Sequence, residues 1–354
     1  KVLVASSKRK RTPVMKLEQL VIASVAIAAY SLLFAAPSPA AGPHPAAAVP
    51  DFTRGDAIPA GADHDWNLGA TGTRGWIYSD KMETSQARQI YITTVDEGSP
   101  SDGLLQNGDV ILGIGDQRFL YDPRTEMGKA IGVAEATDGK LALRIWRQGS
   151  TRSVVLQLPI LGAYALTAPF DCPKSKQIFE RGCRALSQRM KQASYKANPI
   201  ERSLNALALL SSGNPEYLPQ VREQVRWASK YSDPDRRELH CWFYGPINIM
   251  LAENAVATGD RSFMPDLRRV TMEIVNGQSE VGSWGHRFVQ ANGRLAGYGM
   301  MKAPGLPLTV SLILAREAGI QDPKLDEAIE KSSRLLRFYV GKGSVPYGDH
   351  HPWI

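Results

Sequence analysis

The 354-residue sequence predicts a multi-domain α+β protein, in which a small β-rich domain precedes an all-α domain of helical hairpins. Two observations predict this fold class. Residues 64–162 contain runs of alternating apolar and polar residues between turns rich in Gly and Pro, which is typical of short strands. Beyond residue 170 the alternation stops, and amphipathic segments of helical spacing follow one another between Gly, Asn and Pro.

The composition excludes several classes of protein. Hydrophobic residues make up 43% of the chain and charged residues 22%, which argues against a wholly disordered, collagen-like or multi-span membrane protein. The net charge of +7 is concentrated at the start of the chain, because residues 1–42 carry five net positive charges and leave only +2 for the rest. We therefore expect no nucleic-acid partner.

The first residues resemble a targeting segment. Residues 1–14 precede the first Met and are interpreted as a read upstream of the true start. From Met15 to about Ala41 the chain resembles a signal peptide, with uncharged residues 20–36 followed by small residues. This predicts a secreted or periplasmic protein. The alternative is an uncleaved membrane anchor, because the uncharged segment just reaches spanning length. Residues 42–63, rich in Pro and Ala, are predicted to be a linker that does not pack.

The succession of elements in residues 64–162 is specific. A strand is predicted at 90–95, and residues 103–112 are predicted to be a short apolar turn that leads into a second strand through Gly108-Asp109. A helix at 124–136 and a hairpin from 141 to 158 follow. With Ser99-Pro100 before the second strand, this order resembles a PDZ domain of the kind found in bacterial exported proteases. The stretch between Pro100 and Leu105 is one residue shorter than usual.

The resemblance implies a partner. In PDZ domains a peptide adds as an extra strand, and its terminal carboxylate is held by backbone N–H groups. A peptide or protein C-terminus is therefore the expected partner, bound at an open edge; the alternative is an adaptor with a closed groove. Gly75 would supply a backbone conformation that other residues avoid. The implied peptide-binding residues are Arg74, Gly75, Trp76 and Ile77 at the edge, with Met127 and Ile131 lining the side-chain pocket.

The second domain is predicted to be stacked helical hairpins. Asp233-Pro234 and Asp322-Pro323 each place a capping acid before a Pro at the first helical position. The predicted helices lie near residues 174–194, 200–212, 216–230, 236–258, 262–277, 306–319 and 324–340.

A weak internal repeat marks this domain. Gly282-Ser283 and Gly343-Ser344 lie 61 residues apart, and each pair precedes an aromatic residue, a Gly and a His. Residues 278–284 also resemble the Gln–Gly–Trp motif of terpenoid cyclases and related α/α-toroids, in which the Gln caps a helix end. Together with the leader and the PDZ-like domain, the helical region over 170–354 resembles an uncharacterised secreted bacterial family, domain of unknown function 6288. The resemblance implies a toroid that is incomplete at its C-terminus, and no established activity.

The three cysteines, Cys172, Cys183 and Cys241, do not form a zinc ribbon. A bridge between the first two requires a break in the helix predicted from residue 174, because eleven helical steps separate their α-carbons by over about 15 Å. His64 and Asp65 have no third ligand nearby and are read as a polar turn. No metal and no cofactor are predicted.

The polar residues of the helical domain leave two functions open. The first is a non-catalytic scaffold that recruits a peptide. The second is a carbohydrate-active enzyme, a glycoside hydrolase or a polysaccharide lyase, that uses Glu or Asp with His for acid–base chemistry on a glycan. No Gly-x-Ser-x-Gly elbow, phosphate-binding glycine loop or Asp-rich box is present. The candidate catalytic residues are His240, Glu253, His286, Asp349 and His350.

Overall fold

The computed structural model describes residues 49–233, 239–295 and 299–342, together with the backbone of residues 348–349. The predicted signal peptide, His350 and the side chain of Asp349 lie outside the described residues. The chain divides into two compact units between Phe179 and Glu180.

The first unit contains an antiparallel sheet with one helix, in agreement with the predicted α+β class. The sheet order is β1-β2-β3-β4-β6-β7, and β5 pairs with β4. Helix α1, Pro123–Ala136, follows β5 and packs Met127 into the core with Ile90, Ile92 and Leu143. The strands are β1 Trp66–Asn67, β2 Thr73–Trp76, β3 Ile90–Val95, β4 Val110–Ile114, β5 Gln117–Arg118, β6 Lys140–Arg147 and β7 Ser150–Gln157.

The described part of the predicted linker packs against this sheet, so the expectation that residues 42–63 do not pack is wrong there. Phe52 begins a short 3-10 helix and is buried. Its ring lies 5.7 Å from that of Trp76 and 4.9 Å from that of Tyr91. Burial of the Phe52 ring stabilises this packing, because an aromatic side chain removes a large apolar area from water.

The second region is helical, and each predicted helix is found within a few residues of its expected bounds. Helix α2 runs unbroken through Cys183, and all three cysteines are free, which confirms that Cys172 and Cys183 are not bridged. A two-residue ladder, which the sequence did not predict, joins β8, Met300–Met301, to β9, Gly348–Asp349. The helices are α2 Pro173–Met190, α3 Pro199–Ser211, α4 Leu218–Ser229, α5 His240–Thr258, α6 Met264–Asn276, α7 Lys302–Glu317 and α8 Pro323–Arg337.

Helices α5 and α7 pack side by side in a parallel direction. A Cβ on Gly245 would lie 3.1 Å from Pro307 Cβ, and Asn248 Nδ2 donates a hydrogen bond to Ser311 Oγ at 3.2 Å. These contacts join residues 62 and 63 positions apart (307 − 245 and 311 − 248). The same offset separates the first residues of the two helices, 302 − 240 = 62. The helices α5 and α7 therefore lie in register and begin at the same level.

Candidate active site

The turn after α6 is fixed by the Gln–Gly–Trp motif, with the roles of its side chains exchanged relative to expectation. Trp284 Nε1 donates to Ile274 O at 3.0 Å and so caps the last turn of α6. Gln278 Nε2 donates instead to Ala328 O, inside α8, at 3.0 Å. The Gln therefore ties the turn to the next helix, and the indole satisfies the helix end.

A cavity of about 400 Å³ opens where α5 begins and α6 ends. Its position follows from the turn just described, because Gly277 and Phe288 bracket that turn and both reach the cavity wall. The wall combines two carboxylates, an imidazole, a phenol and an amide with one apolar ring. The lining residues are Ser232, Asp233, His240, Tyr244, Glu273, Asn276, Gly277 and Phe288.

An Asp–His pair lies on one side of the cavity. His240 Nδ1 is 3.1 Å from Asp233 Oδ2, and both side chains are almost fully buried. The imidazole ring also lies 4.3 Å from the ring of Phe288, in an edge-to-face arrangement. The predicted helix start at residue 234 lies outside the described residues, and α5 is described from His240 onward. The carboxylate of Asp233 orients the imidazole.

A second pair lies one helical turn along α5. Tyr244 Oη donates to Glu273 Oε2 at 2.5 Å, and the His240 and Tyr244 ring centroids are 4.6 Å apart. Burial, followed by the Glu273 carboxylate, raises the pKa of Tyr244 well above its ordinary value, so the phenol is protonated at neutral pH.

The carboxylate of Glu273 is held from its other side by an arginine. Arg269 Nη1 donates to Glu273 Oε1 at 2.8 Å. The same guanidinium donates through Nη2 to the carbonyls of Ser229 and Tyr231, which follow from the end of α4. Arg269 therefore joins α6 to the chain that leads into Asp233, and it fixes Glu273 beneath the phenol.

The structure brings together only some of the candidate catalytic residues. His240 lines the cavity. Glu253 lies thirteen residues further along α5, about 20 Å away at 1.5 Å per residue, and is buried. His286 is half-buried and does not line the cavity, but its carbonyl accepts a hydrogen bond from Cys241 N at 3.0 Å and so places its loop at the start of α5.

Asp349 has only its backbone described, where it pairs with Met300. The sequence did not predict three of the site residues, which are Asp233, Glu273 and Arg269. No local sequence pattern indicates a contact between α4, α5 and α6.

The predicted peptide-binding edge is already paired within the chain. Gly75 pairs with Trp66, and Arg74 pairs with Asn67, so β1 occupies the edge of β2 that was expected to be open. Arg74 Nε also donates to Asp65 Oδ1 at 2.7 Å, which ties the segment before β1 to β2. Gly75, the first residue of the edge expected to be open, is therefore already paired within the chain.

The remaining predicted groove residues contribute to the domain core or its border. Ile77 and Met127 are 1% and 2% exposed, and Ile131 is half-buried against the same core. Trp76 Nε1 donates to Ala62 O at 2.7 Å. Gly75 has no positive φ; a Cβ there would lie 2.4 Å from Ile90 Cγ2, so the residue is small because the neighbouring strand is close.

Neither a metal-binding cluster nor a membrane-spanning helix occurs in the described part of the chain. No group of three or more His, Cys, Asp or Glu side chains that could hold a metal occurs in residues 49–233, 239–295 and 299–342. Over the same ranges, no helix has the length and apolar character needed to cross a membrane.

Comparison with known proteins gives one match. Residues 175–354, just over half of the chain, match the family described as Domain of unknown function (DUF6288). No curated protein and no solved structure matches the chain.

Proposed function

The chain belongs to the family described as domain of unknown function 6288, and we propose that its helical domain is an acid–base enzyme that cleaves a glycan. One observation carries the proposal: the pairs Asp233–His240 and Tyr244–Glu273 line the same cavity, with Phe288 as an apolar wall. A concave site with a few convergent polar groups and an aromatic surface is the usual form of a small-ligand site.

The two pairs suit opposite proton transfers. His240 acts as the general base, because a carboxylate at Nδ1 orients the ring and stabilises the imidazolium that forms. Tyr244 acts as the general acid, because its phenol is protonated at neutral pH and the alkoxide that leaves is basic enough to take the proton. Their rings are close enough to act on neighbouring atoms of one bound sugar.

The state of the carboxylates favours elimination over hydrolysis. Two-carboxylate hydrolysis needs one carboxyl group to donate a proton and the other to attack the sugar or activate water. Both oxygens of Glu273 accept hydrogen bonds, from Arg269 and Tyr244, and Asp233 supports His240. These carboxylates position other groups.

In the elimination, His240 removes the proton from the sugar carbon beside a uronate carboxylate. The electron pair forms a carbon–carbon double bond as the bond to the leaving oxygen breaks, and Tyr244 protonates that oxygen.

The test is a turnover screen of the full chain on polyuronates and neutral glycans. Elimination yields an unsaturated uronate that absorbs in the ultraviolet, whereas hydrolysis yields reducing ends without it. We expect His240→Ala and Tyr244→Phe each to lower kcat by about 100-fold or more, as loss of a general acid or base does. His64→Ala, an exposed histidine of the sheet domain, is the matched control and should leave turnover unchanged.

The outcomes separate the alternatives. Reducing ends without the ultraviolet product would assign a hydrolase instead. Full activity in both His240→Ala and Tyr244→Phe, or no turnover on any glycan, would refute the proposal and return the helical domain to a scaffold. Thermal melting of each variant shows whether lost turnover reflects lost folding.

The wider architecture is proposed with this activity. We propose that the helical hairpins are part of an α/α-toroid, supported by the parallel, in-register packing of α5 and α7. The sheet domain is proposed to be PDZ-like and to serve as an adaptor with a closed groove, supported by the pairing of β1 with β2. Export through the segment from Met15 to about Ala41 stays a proposal, as does the absence of a nucleic-acid partner.

A further inference from the structure

Lys302, the first residue of α7, is a buried cation. The residue is 7% exposed, and its Nζ atom lies 4.7 Å from the centroid of the Tyr339 ring. Across residues 49–233, 239–295 and 299–342, Nζ has no hydrogen-bond or ion-pair partner. A buried ammonium group normally has a hydrogen-bonded acceptor, because removing the charge from water is costly.

The helix end around Lys302 adds positive potential. Met301 precedes α7 and provides no side-chain cap, so the first N–H groups of the helix are not satisfied by a capping side chain. A helix N-terminus carries a partial positive charge and favours anions. The ammonium group and the helix end therefore favour the same kind of ligand.

Lys302 belongs to the same end of the domain as the cavity. Helices α5 and α7 are adjacent and parallel, and their first residues, His240 and Lys302, lie at the same level. Packed helices have axes about 8–10 Å apart. The loop that carries Phe288 also connects the two ends, since Met301 N donates to Trp284 O at 2.9 Å. A ligand of two sugar residues spans that separation.

We infer that Lys302 and the first turn of α7 bind an anionic group of the ligand, a carboxylate or a phosphate. The inference rests on the proposed function, for which the anionic group is the carboxylate of a uronate. Because two sugar residues span the distance between the two helix ends, this carboxylate belongs to the sugar next to the one that His240 deprotonates, and Lys302 contributes to substrate binding. Lys302 is then the residue that selects an acidic glycan over a neutral one.

The test is calorimetric binding of glucuronate, glucose and inorganic phosphate to the full chain. We expect glucuronate to bind more tightly than glucose. Lys302→Met should weaken glucuronate binding about ten- to hundredfold, the effect of removing a charged hydrogen-bond partner, and leave glucose binding unchanged. Lys302→Arg should keep most of the affinity. Lys324→Met, which removes an exposed lysine at the start of α8, is the matched control and should bind like wild type.

Phosphate binding that Lys302→Met abolishes, without glucuronate binding, would keep the anion site and assign a phosphorylated ligand. Equal glucuronate affinity in wild type and Lys302→Met, or no anion binding by wild type, would overturn the inference. Lys302→Met removes a buried charge, so its melting temperature should equal or exceed that of wild type; a lower one would show a structural role.

The two proposals fail separately. Anion binding that depends on Lys302, in a protein with no glycan turnover, keeps this inference and refutes the enzyme. Turnover that depends on His240, with the same KM in Lys302→Met, keeps the enzyme and refutes this inference.

Discussion

Gly282 offers a sharp test of how the turn that carries the cavity wall is built. Its φ is +86°, and a Cβ at this position would lie 2.5 Å from the carbonyl carbon of Lys331 and 2.8 Å from the amide nitrogen of Ser332. The obstacle is the backbone of α8, which cannot rotate away as a side chain can. An alanine at Gly282 therefore meets two penalties, an unfavourable backbone conformation and a steric overlap.

The magnitudes can be separated with a matched glycine. A non-glycine residue at positive φ costs about 1–2 kcal/mol, and overpacking adds about 1–3 kcal/mol. Gly259 has a φ of +71° and no atom within 4 Å of a built Cβ, so Gly259→Ala carries only the first penalty. We expect Gly282→Ala to lower the free energy of unfolding about 2 kcal/mol more than Gly259→Ala does. That difference corresponds to about 4–8 °C in Tm for a domain of this size.

The assay is thermal unfolding of the full chain followed by far-ultraviolet circular dichroism, which is dominated by the helical domain. Both variants and wild type are compared at one pH and one salt concentration. Equal Tm values for Gly282→Ala and Gly259→Ala would refute the close approach of the turn to α8. A further check is that Gly282→Ala, and not Gly259→Ala, should impair ligand binding at the cavity, because the same turn positions Phe288.

Three further predictions concern buried ionisable groups. Burial raises the pKa of Glu253 above its ordinary value of 4.5, so the folded state holds a proton that the unfolded state releases, and stability falls as pH rises above that value. Glu253→Gln should match wild type in Tm at acid pH and exceed it increasingly toward neutral pH. A pH-independent difference in Tm would contradict this. Hydrogen bonds from Ser175 and the Ala165 backbone lower the pKa of Cys172 to about 7, so the rate of alkylation in wild type should have its pH midpoint near that value. The midpoint should shift upward in Ser175→Ala. An unshifted midpoint would exclude the Ser175 side chain as the cause. Lys174 Nζ forms a buried ion pair with Glu135 at 2.6 Å, so Lys174→Met should destabilise the protein by about 3–5 kcal/mol in urea unfolding because Glu135 is left unpaired. The double variant Lys174→Met with Glu135→Leu should recover most of this loss. A double variant no more stable than the single one would contradict this.

The helices could be predicted from sequence because their signals are local. Asn198 and Glu201 form a capping box, in which each side chain accepts a hydrogen bond from the other's backbone N–H at 3.0 Å. At the start of α8, Asp322 Oδ1 accepts from Lys324 N at 3.0 Å. A residue that caps a helix contacts atoms two or three positions away, so the pattern is present in the sequence itself.

The candidate site could be predicted only in part, because most of its contacts are not local. Tyr244 and Glu273 are 29 positions apart and meet only after α5 and α6 have packed. Asp233 has the pattern of a capping acid, and nothing in the sequence indicates that its side chain meets that of His240. Glu253 is an exception, because thirteen steps along the predicted helix 236–258 already separate it from His240 by about 20 Å, and the sequence alone could have excluded it from the site.

The pairing of β1 with β2 has a thermodynamic consequence for any peptide that approaches the sheet domain. A peptide that adds to β2 at Gly75 competes with Trp66 of the same chain, and the competing strand is always present at high effective concentration. Only the fraction of molecules with β1 detached can bind, so the apparent dissociation constant equals the intrinsic one divided by that fraction. Weakening the Arg74–Asp65 ion pair would raise this fraction. For a peptide that adds at Gly75, the two residues of β1 would thus lower the apparent affinity, and a peptide that pairs more weakly with β2 would need a higher concentration to displace them.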